Sequence, residues 1–180
     1  MRILRLILGD QLNPCHSWFQ NIDDKIIYVL MEIKQETDYV LHHSQKILGI
    51  FAAMRDFKEA LLKKNHRVIY FRIGDTSNQQ SFSSNLKSLI LKNHIQKFEY
   101  QEPDELRVDI GLKNFCNQIN IPSQMYSTEH FYTERGEVAD LFKDKKQWLM
   151  ETFYRYMRRK HHVLMNDDKS PAESKWNFDH

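Results

Sequence analysis

Short apolar runs alternate with amphipathic segments along most of this chain, and this alternation limits the fold more than any other feature. Residues 3–8 and 26–32 are largely apolar, which is typical of strands buried on both faces of a parallel sheet. Between Val40 and Lys64 the period changes, and apolar residues recur at the spacing of one helix face. Strands that alternate with helices predict an α/β fold: a Rossmann-like, doubly wound, five-stranded parallel sheet flanked by helices.

Residues 9–25 are the exception to this alternation. They contain glycine, asparagine and proline and show no helical period, so we expect an irregular loop lying over the sheet edge. Pro103 is tolerated in the first turn of a helix, which indicates that a helix begins there. The remaining elements are predicted as strands at 67–73, 97–102 and 124–127 and helices at 81–92, 103–118, 134–142 and 151–162.

The chain is predicted to hold one α/β domain over residues 1–165, because 180 residues are enough to bury one good core. Residues 166–175 are polar and loop-like. Trp176 and Phe178 then follow as two large aromatic residues with no further core to enter. Residues 166–180 are therefore interpreted as a linker toward another domain, with the two aromatic side chains at the interface.

The composition argues against several classes of protein. No apolar run approaches membrane-spanning length, and the start of the chain carries charges and lacks the small-residue cleavage site of a signal peptide. Cys15 and Cys116 are isolated, so neither a disulfide framework nor a zinc site is indicated. The net charge of +2 is too small for general attraction to nucleic acid. A cytoplasmic protein with free thiols and no membrane partner is expected.

The expected ligand site follows from the topology. In doubly wound folds ligands bind beyond the carboxyl ends of the strands, where the strand order reverses. The candidate rims of that crevice are Gly9, Asp10 and Gln11 after the first strand, and Met31, Glu32 and the residues through Tyr39 after the second. A glycine–aspartate pair after a strand is by itself also typical of a plain turn.

No catalytic or metal-ligating residue is predicted. The chain has no GxGxxG or GxxxxGK[ST] segment and no recognisable nucleophile motif. Glu32 and Glu36 could pair as acid and base, but loop carboxylates are more often caps or ribose partners. His42 and His43 open a predicted helix without further ligands at helical spacing, so a surface or capping role is favoured over a metal site.

A basic stripe marks the last predicted helix. Arg155, Arg158, Arg159 and His162 follow the spacing i, i+3, i+4 and i+7, which stacks them on one face. The apolar surface of this segment comes from Trp148, Phe153, Tyr156 and Met157. The three arginines indicate contact with another domain or with nucleic acid, although a solvated surface helix has the same pattern.

Several strings in this chain, taken in order, resemble one family. They are LILGDQL at 6–12, MEIKQETDYVLHHSQKI at 31–47, AMRDF at 53–57, EPDELRV at 102–108, METFYRYMRRK at 150–160, LM at 164–165 and WNFD at 176–179. The sequence resembles the N-terminal part of the deoxyribodipyrimidine photolyase-related proteins, which include iron–sulfur bacterial cryptochromes and (6-4) photolyases. The likeness runs over essentially the whole chain.

The resemblance implies an antenna domain of the photolyase N-terminal type, in a flavoprotein linked to light-dependent DNA repair or blue-light sensing. It implies that the antenna chromophore 6,7-dimethyl-8-ribityllumazine binds in the crevice, with contacts at Asp10, Met31, Glu36 and Tyr39. Met31 departs from those relatives that have a cysteine at this position. A thioether still packs well against a flat ring.

The resemblance also implies that FAD and a [4Fe–4S] cluster belong to a larger C-terminal domain, which would be the partner of this chain. Two isolated cysteines do not suffice for a cluster that takes four. Photorepair and DNA contact would then be properties of the full-length protein. The separate chain could self-associate through the face that Arg155, Arg158, Arg159, Trp176 and Phe178 offer to that partner.

Three other interpretations stay open at this point. The crevice could hold an adenine nucleotide, although the Gly-rich loops of such modules are absent. The basic helix at 151–162 could bind nucleic acid, in which case affinity would fall steeply with salt. The domain could also bind nothing and serve as a scaffold for its partner.

Overall fold

The computed structural model describes residues 1–177. Its strands are β1 (Ile3–Leu6), β2 (Ile26–Met31), β3 (Arg67–Phe71), β4 (Lys97–Gln101) and β5 (Ser123–Tyr126). Its α-helices are α1 (Lys34–Thr37), α2 (Ser44–Lys63), α3 (Phe82–Lys92), α4 (Leu106–Cys116), α5 (Glu137–Phe142) and α6 (Met150–His161). Single turns of 3₁₀ helix lie at Ser17–Phe19 and Ala172–Ser174.

The five strands form one sheet in the order β3-β2-β1-β4-β5, and all neighbouring strands are parallel. The predicted Rossmann-like α/β sheet is therefore confirmed. Strand β1 pairs with β2 on one side and with β4 on the other, so the strand order reverses at β1. The carboxyl ends of these three strands lie side by side, which is where the fold forms a crevice.

The chain divides into two compact units, residues 1–130 and residues 131–180. The first unit contains the whole sheet and helices α1 to α4. The second contains α5 and α6. No helix within residues 1–177 is both long enough and apolar enough to cross a membrane.

Both faces of the sheet are covered, because side chains along each buried strand alternate between two apolar clusters. Leu4 and Leu6 of β1 belong to the cluster that includes side chains of α3 and α4. Tyr28 and Leu30 of β2 belong to the cluster that includes side chains of α2. Continuous apolar strands are the sequence pattern that this two-sided burial requires.

The segment 9–25 differs from its prediction. It carries a turn of 3₁₀ helix whose Trp18 and Phe19 are 4% and 6% exposed and enter the α2-side cluster. The ring of Trp18 meets that of Tyr28 in β2 at 6.4 Å and that of Tyr126 in β5 at 5.5 Å. The segment therefore covers a face of the sheet, and the expectation of a loop over its edge is wrong.

Helix α4 begins three residues later than predicted. The Glu102 N–H donates to the Tyr126 carbonyl at 2.8 Å, so strand-like pairing continues up to the residue before Pro103. The residue before a proline also disfavours helical backbone angles. The helix consequently starts at Leu106, with Glu105 as its N-cap residue. The short helix α1, one turn long, was not predicted at all.

Candidate functional site

A cavity of about 270 Å³ lies at the carboxyl ends of β1, β2 and β4, near the lower end of the range typical of ligand pockets. It belongs entirely to the first compact unit. Most of its wall is apolar and comes from Leu8, Met31, Ile33, Ile47, Ile50, Phe51, Met54, Phe82 and Val108. Such a wall suits a flat ligand with little charge.

Five of the seven residues predicted for the crevice line this cavity. They are Gly9, Asp10, Met31, Glu36 and Tyr39. The first two follow β1 and the other three end or follow β2, so the topology brings together two segments that are separate in sequence. Their role in binding a ligand stays a prediction.

Gly9 lets helix α2 pack closely against the end of β1. A Cβ atom at this position would lie 3.0 Å from Cγ2 of Ile50 and 3.2 Å from the sulfur of Met54. Both neighbours also line the cavity. A larger residue at position 9 would therefore push α2 away or fill part of the cavity.

Gln11 does not line the cavity and has a structural role. It is 1% exposed, and its side-chain oxygen accepts a hydrogen bond from the Leu8 N–H at 3.1 Å. Its side-chain nitrogen donates to the carbonyls of Gln101 and Glu102 at 3.3 and 3.2 Å. The side chain thus ties the end of β1 to the end of β4.

Glu32 also turns away from the cavity. Its fully buried carboxylate accepts hydrogen bonds from Arg55 at 2.6 and 2.9 Å, from the Tyr70 hydroxyl at 2.7 Å and from the Ile73 N–H at 3.0 Å. Burial by itself would raise the pKa of Glu32, but these donors outweigh it and hold the pKa below its ordinary value. Glu32 therefore joins β2, β3 and α2.

Glu36 is held by an arginine that the sequence analysis missed. Arg107 donates to both oxygens of Glu36 at 3.1 Å, and to both oxygens of Glu105 at 2.7 and 3.1 Å. Its guanidinium carbon also lies 4.0 Å from the centre of the Tyr39 ring. Glu32 and Glu36 thus pair with different arginines, which argues against an acid–base pair between them.

Asp10 is a lining carboxylate whose surroundings change its acidity. Loss of water around it raises its pKa above the ordinary value, and the negative charges of Asp104 and Glu105 add to this effect. Its own backbone N–H and His130 act in the opposite direction. A carboxyl group of this kind is suited to hydrogen bonding with a neutral polar ligand.

The two adjacent histidines have different surroundings. Nδ1 of His43 accepts a hydrogen bond from the Gln45 N–H at 3.2 Å, which confirms the predicted capping role at the start of α2. His42 lines the cavity, with its ring edge-on to that of Tyr39 at 5.0 Å. Among residues 1–177, no group of three or more His, Cys, Asp or Glu side chains is arranged to hold a metal ion.

The sequence of residues 5–180 matches the family described as deoxyribodipyrimidine photo-lyase-related protein. The chain belongs to this family. A (6-4) photolyase from Agrobacterium fabrum (strain C58 / ATCC 33970) is 39% identical over 180 residues. That match covers 99% of this chain but only 35% of the relative, so the chain spans little more than a third of that protein's length.

In this photolyase-related chain, the basic stripe of α6 is largely engaged within the second unit. Arg158 is 3% exposed, and its guanidinium donates to the backbone carbonyls of Val163, Leu164, Lys175 and Trp176. This side chain therefore fastens the segment after α6 to the helix and does not face solvent.

Trp176 lies against all three arginines of the stripe. The guanidinium carbons of Arg155, Arg158 and Arg159 are 5.3, 5.4 and 4.6 Å from the centre of its ring. Arg155 also pairs with Glu151 at 2.6 Å. Trp176 is therefore half-buried by its own unit, and cation–π contacts of this kind stabilise such an arrangement.

The sequence predictions for the C-terminal region also include His162 and Phe178. His162 follows the last residue of α6 and takes a left-handed conformation, with φ of 53°, so it does not extend the helix face as predicted. Phe178 lies outside the described residues. The assignment of Arg155, Arg158, Arg159, Trp176 and Phe178 to interdomain or nucleic-acid contact stays a prediction.

Proposed function

We propose that the first unit of this chain binds an antenna chromophore in the cavity and that this chromophore is 6,7-dimethyl-8-ribityllumazine. The observation that carries the proposal is that Asp10, Met31, Glu36 and Tyr39 line one largely apolar cavity. These are the four positions to which the family resemblance assigns the chromophore. The proposal draws its ligand from that resemblance and its location from the cavity.

The residues present suit such a pigment. The side chains of Met31, Ile33 and Phe82 offer apolar surface against which a flat ring system can pack. The carboxylates of Asp10 and Glu36 line the cavity and would accept hydrogen bonds from ribityl hydroxyl groups. When bound, the lumazine would absorb light and pass its excitation to a second pigment.

The chain itself needs to orient the pigment and keep water away from it. Arg107 holds Glu36 and Tyr39 in place through the contacts described above, so the polar side of the cavity is ordered before a ligand arrives. Preorganised contacts of this kind reduce the entropy lost on binding. None of these tasks requires a nucleophile or a general base.

The wider setting of this function is also a proposal. The relative named above is a (6-4) photolyase, and the chain matches 35% of its length. We assign to this chain the antenna role in a photolyase-related protein that acts in DNA repair or blue-light sensing. FAD, the iron–sulfur cluster and the photochemistry are assigned to sequence beyond the matched region.

Titration of the purified chain with the lumazine, followed by fluorescence polarisation, tests the proposal. Asp10→Asn and Glu36→Gln should each weaken binding by about 1–3 kcal/mol, because each leaves a ligand hydroxyl poorly paired. Glu59→Gln is the matched control, since Glu59 is an exposed carboxylate on α2 that pairs with Lys58. Equal affinity in wild type and in the combined Asp10→Ala, Glu36→Ala variant would show that the site is elsewhere.

A further inference from the structure

Doubly wound folds usually hold the phosphate groups of their ligands at the N-terminus of a helix that follows a strand. Here the segment after β1 leads into a 3₁₀ turn and not into an α-helix. At the start of α2, the Gln45 N–H donates to the His43 ring, and the N–H groups of Lys46 and Ile47 donate to the His43 carbonyl. These three backbone donors at the start of α2 are therefore already used.

The start of α4 is another of the helix termini at the cavity, since Pro103, Glu105 and Val108 all line it. This helix begins directly after Asp104 and Glu105. Their carboxylates oppose the attraction that the positive end of a helix would otherwise exert on an anion. At this helix terminus, the position that would favour phosphate is therefore occupied by negative charge.

The charges of the cavity wall also disfavour a phosphate group. Asp10, Glu36 and Glu105 are the carboxylates that line it, whereas Lys46 is the one fixed cation among its lining residues. Arg107 lies next to the wall, but its donors are directed to the oxygens of Glu36 and Glu105. A phosphate that used Arg107 would have to replace two carboxylates.

The carboxylates near the cavity influence the pKa of Asp10. Burial is the main reason that the pKa of Asp10 is raised, but the carboxylates of Asp104 and Glu105 contribute to the same shift. We call Asp10, Asp104 and Glu105 the acidic rim. A phosphate monoester, which carries close to two negative charges near neutral pH, would meet the same repulsion.

We propose that the acidic rim selects for ribityl ligands without a phosphate and excludes their 5′-phosphate esters. This inference rests on the proposed function of the cavity and makes Asp104 and Glu105 specificity-determining residues. The same repulsion would act against adenine nucleotides, because these carry phosphates as well.

The experiment compares two probes that differ only in one phosphate: 6,7-dimethyl-8-ribityllumazine and its 5′-phosphate ester. Wild-type chain should bind the ester at least about 10-fold more weakly at low ionic strength. The difference in affinity between the two probes should become smaller as the salt concentration rises from roughly 20 to roughly 500 mM, because salt screens exposed charges. It should also narrow in the Asp104→Asn, Glu105→Gln variant, whereas Glu59→Gln should behave as wild type.

The outcomes separate this inference from the proposed function. If neither probe binds, the proposed function is wrong. If both bind equally well, the cavity binds a ribityl ligand but the acidic rim does not select. The ester could also bind more weakly with an affinity that changes neither with salt nor in the double variant. That result would mean that the shape of the cavity, and not its charge, excludes the phosphate. The salt series on wild type decides the question even if the double variant does not fold.

Discussion

The guanidinium carbon of Arg107 lies 4.0 Å from the centre of the Tyr39 ring, while the same group bridges Glu36 and Glu105. These residues come from the segment after β2 and from the start of α4, two regions far apart in the sequence. Arg107 therefore joins the two sides of the candidate cavity. A planar group with several parallel donors is required for such a role, and lysine does not supply it.

We expect Arg107→Lys to lower the free energy of unfolding by about 1 kcal/mol, because it loses the paired hydrogen bonds and the contact of the guanidinium with the Tyr39 ring but keeps the charge. Arg107→Ala should lower the free energy of unfolding somewhat more. Both variants should also release the lumazine faster, since Glu36 and Tyr39 are no longer held. Urea denaturation and stopped-flow fluorescence measure the two effects. Lys87→Ala on α3 is the control, and a lysine variant as stable as wild type would contradict the role of guanidinium geometry.

A second prediction concerns the close packing at Gly9. Gly9→Ala should destabilise the chain by about 1–3 kcal/mol, because the new methyl group would lie 3.0 Å from Ile50 and 3.2 Å from Met54. It should also weaken lumazine binding, since both neighbours line the cavity. Gly49→Ala is a matched control on α2, where a Cβ would meet nothing within 4 Å. That substitution should stabilise the helix by roughly 0.5–1 kcal/mol. Thermal denaturation that ranks the two variants in the opposite order would refute this account.

The sheet and part of the site could be predicted from sequence for a physical reason. Parallel strands buried on both faces need continuous apolar runs, and their carboxyl ends must meet at one edge of the sheet. This places Asp10 near Met31 whatever the details of packing. Glu32 was assigned to the same rim, but successive strand side chains point to opposite faces, so Glu32 meets Arg55 on the α2 side.

Other features depend on contacts that one local pattern does not contain. Arg107 is 71 positions from Glu36, and nothing near either residue indicates that they pair. The available signal was charge, because Arg107 is the first basic residue after Glu102, Asp104 and Glu105. The contacts of Trp176 could not be predicted either, because an aromatic residue in a polar segment does not indicate which arginines will pack against it.

The buried Glu32 cluster predicts a loss of stability in acid. The pKa of Glu32 is lowered in the folded chain, so its contribution is complete above the unfolded pKa of about 4.5 and is lost as the pH falls through the folded value. Glu32→Gln should therefore be less stable than wild type at pH 7, by about 1–3 kcal/mol, because Tyr70 and Arg55 lose a charged acceptor. The difference in the free energy of unfolding between wild type and Glu32→Gln should disappear as the pH falls below 4. Urea denaturation at several pH values would show it, and a constant gap across that range would be evidence against the assignment.

The basic helix α6 yields a comparison among its own arginines. Arg158→Ala should loosen the segment 163–176, because four backbone carbonyls lose their shared donor. Arg159→Ala should have a smaller effect, since Arg159 is exposed and its described contact is with the Trp176 ring. Hydrogen exchange followed by mass spectrometry measures protection of this segment directly. Equal loss of protection in the two variants would mean that Arg158 does not anchor the segment.

The last prediction concerns DNA. A helix that binds duplex DNA through phosphate contacts needs exposed, uncommitted cations, and its affinity falls steeply with salt. In α6 the Arg158 guanidinium is buried and Arg155 pairs with Glu151, which leaves Arg159 as the exposed arginine of the three. We therefore expect only weak mobility shifts of duplex DNA at low salt, with little change in the Arg155→Ala, Arg159→Ala variant. Sedimentation of the same samples reports whether the chain self-associates. Tight, salt-sensitive binding that the double substitution abolishes would instead establish α6 as a nucleic-acid interface.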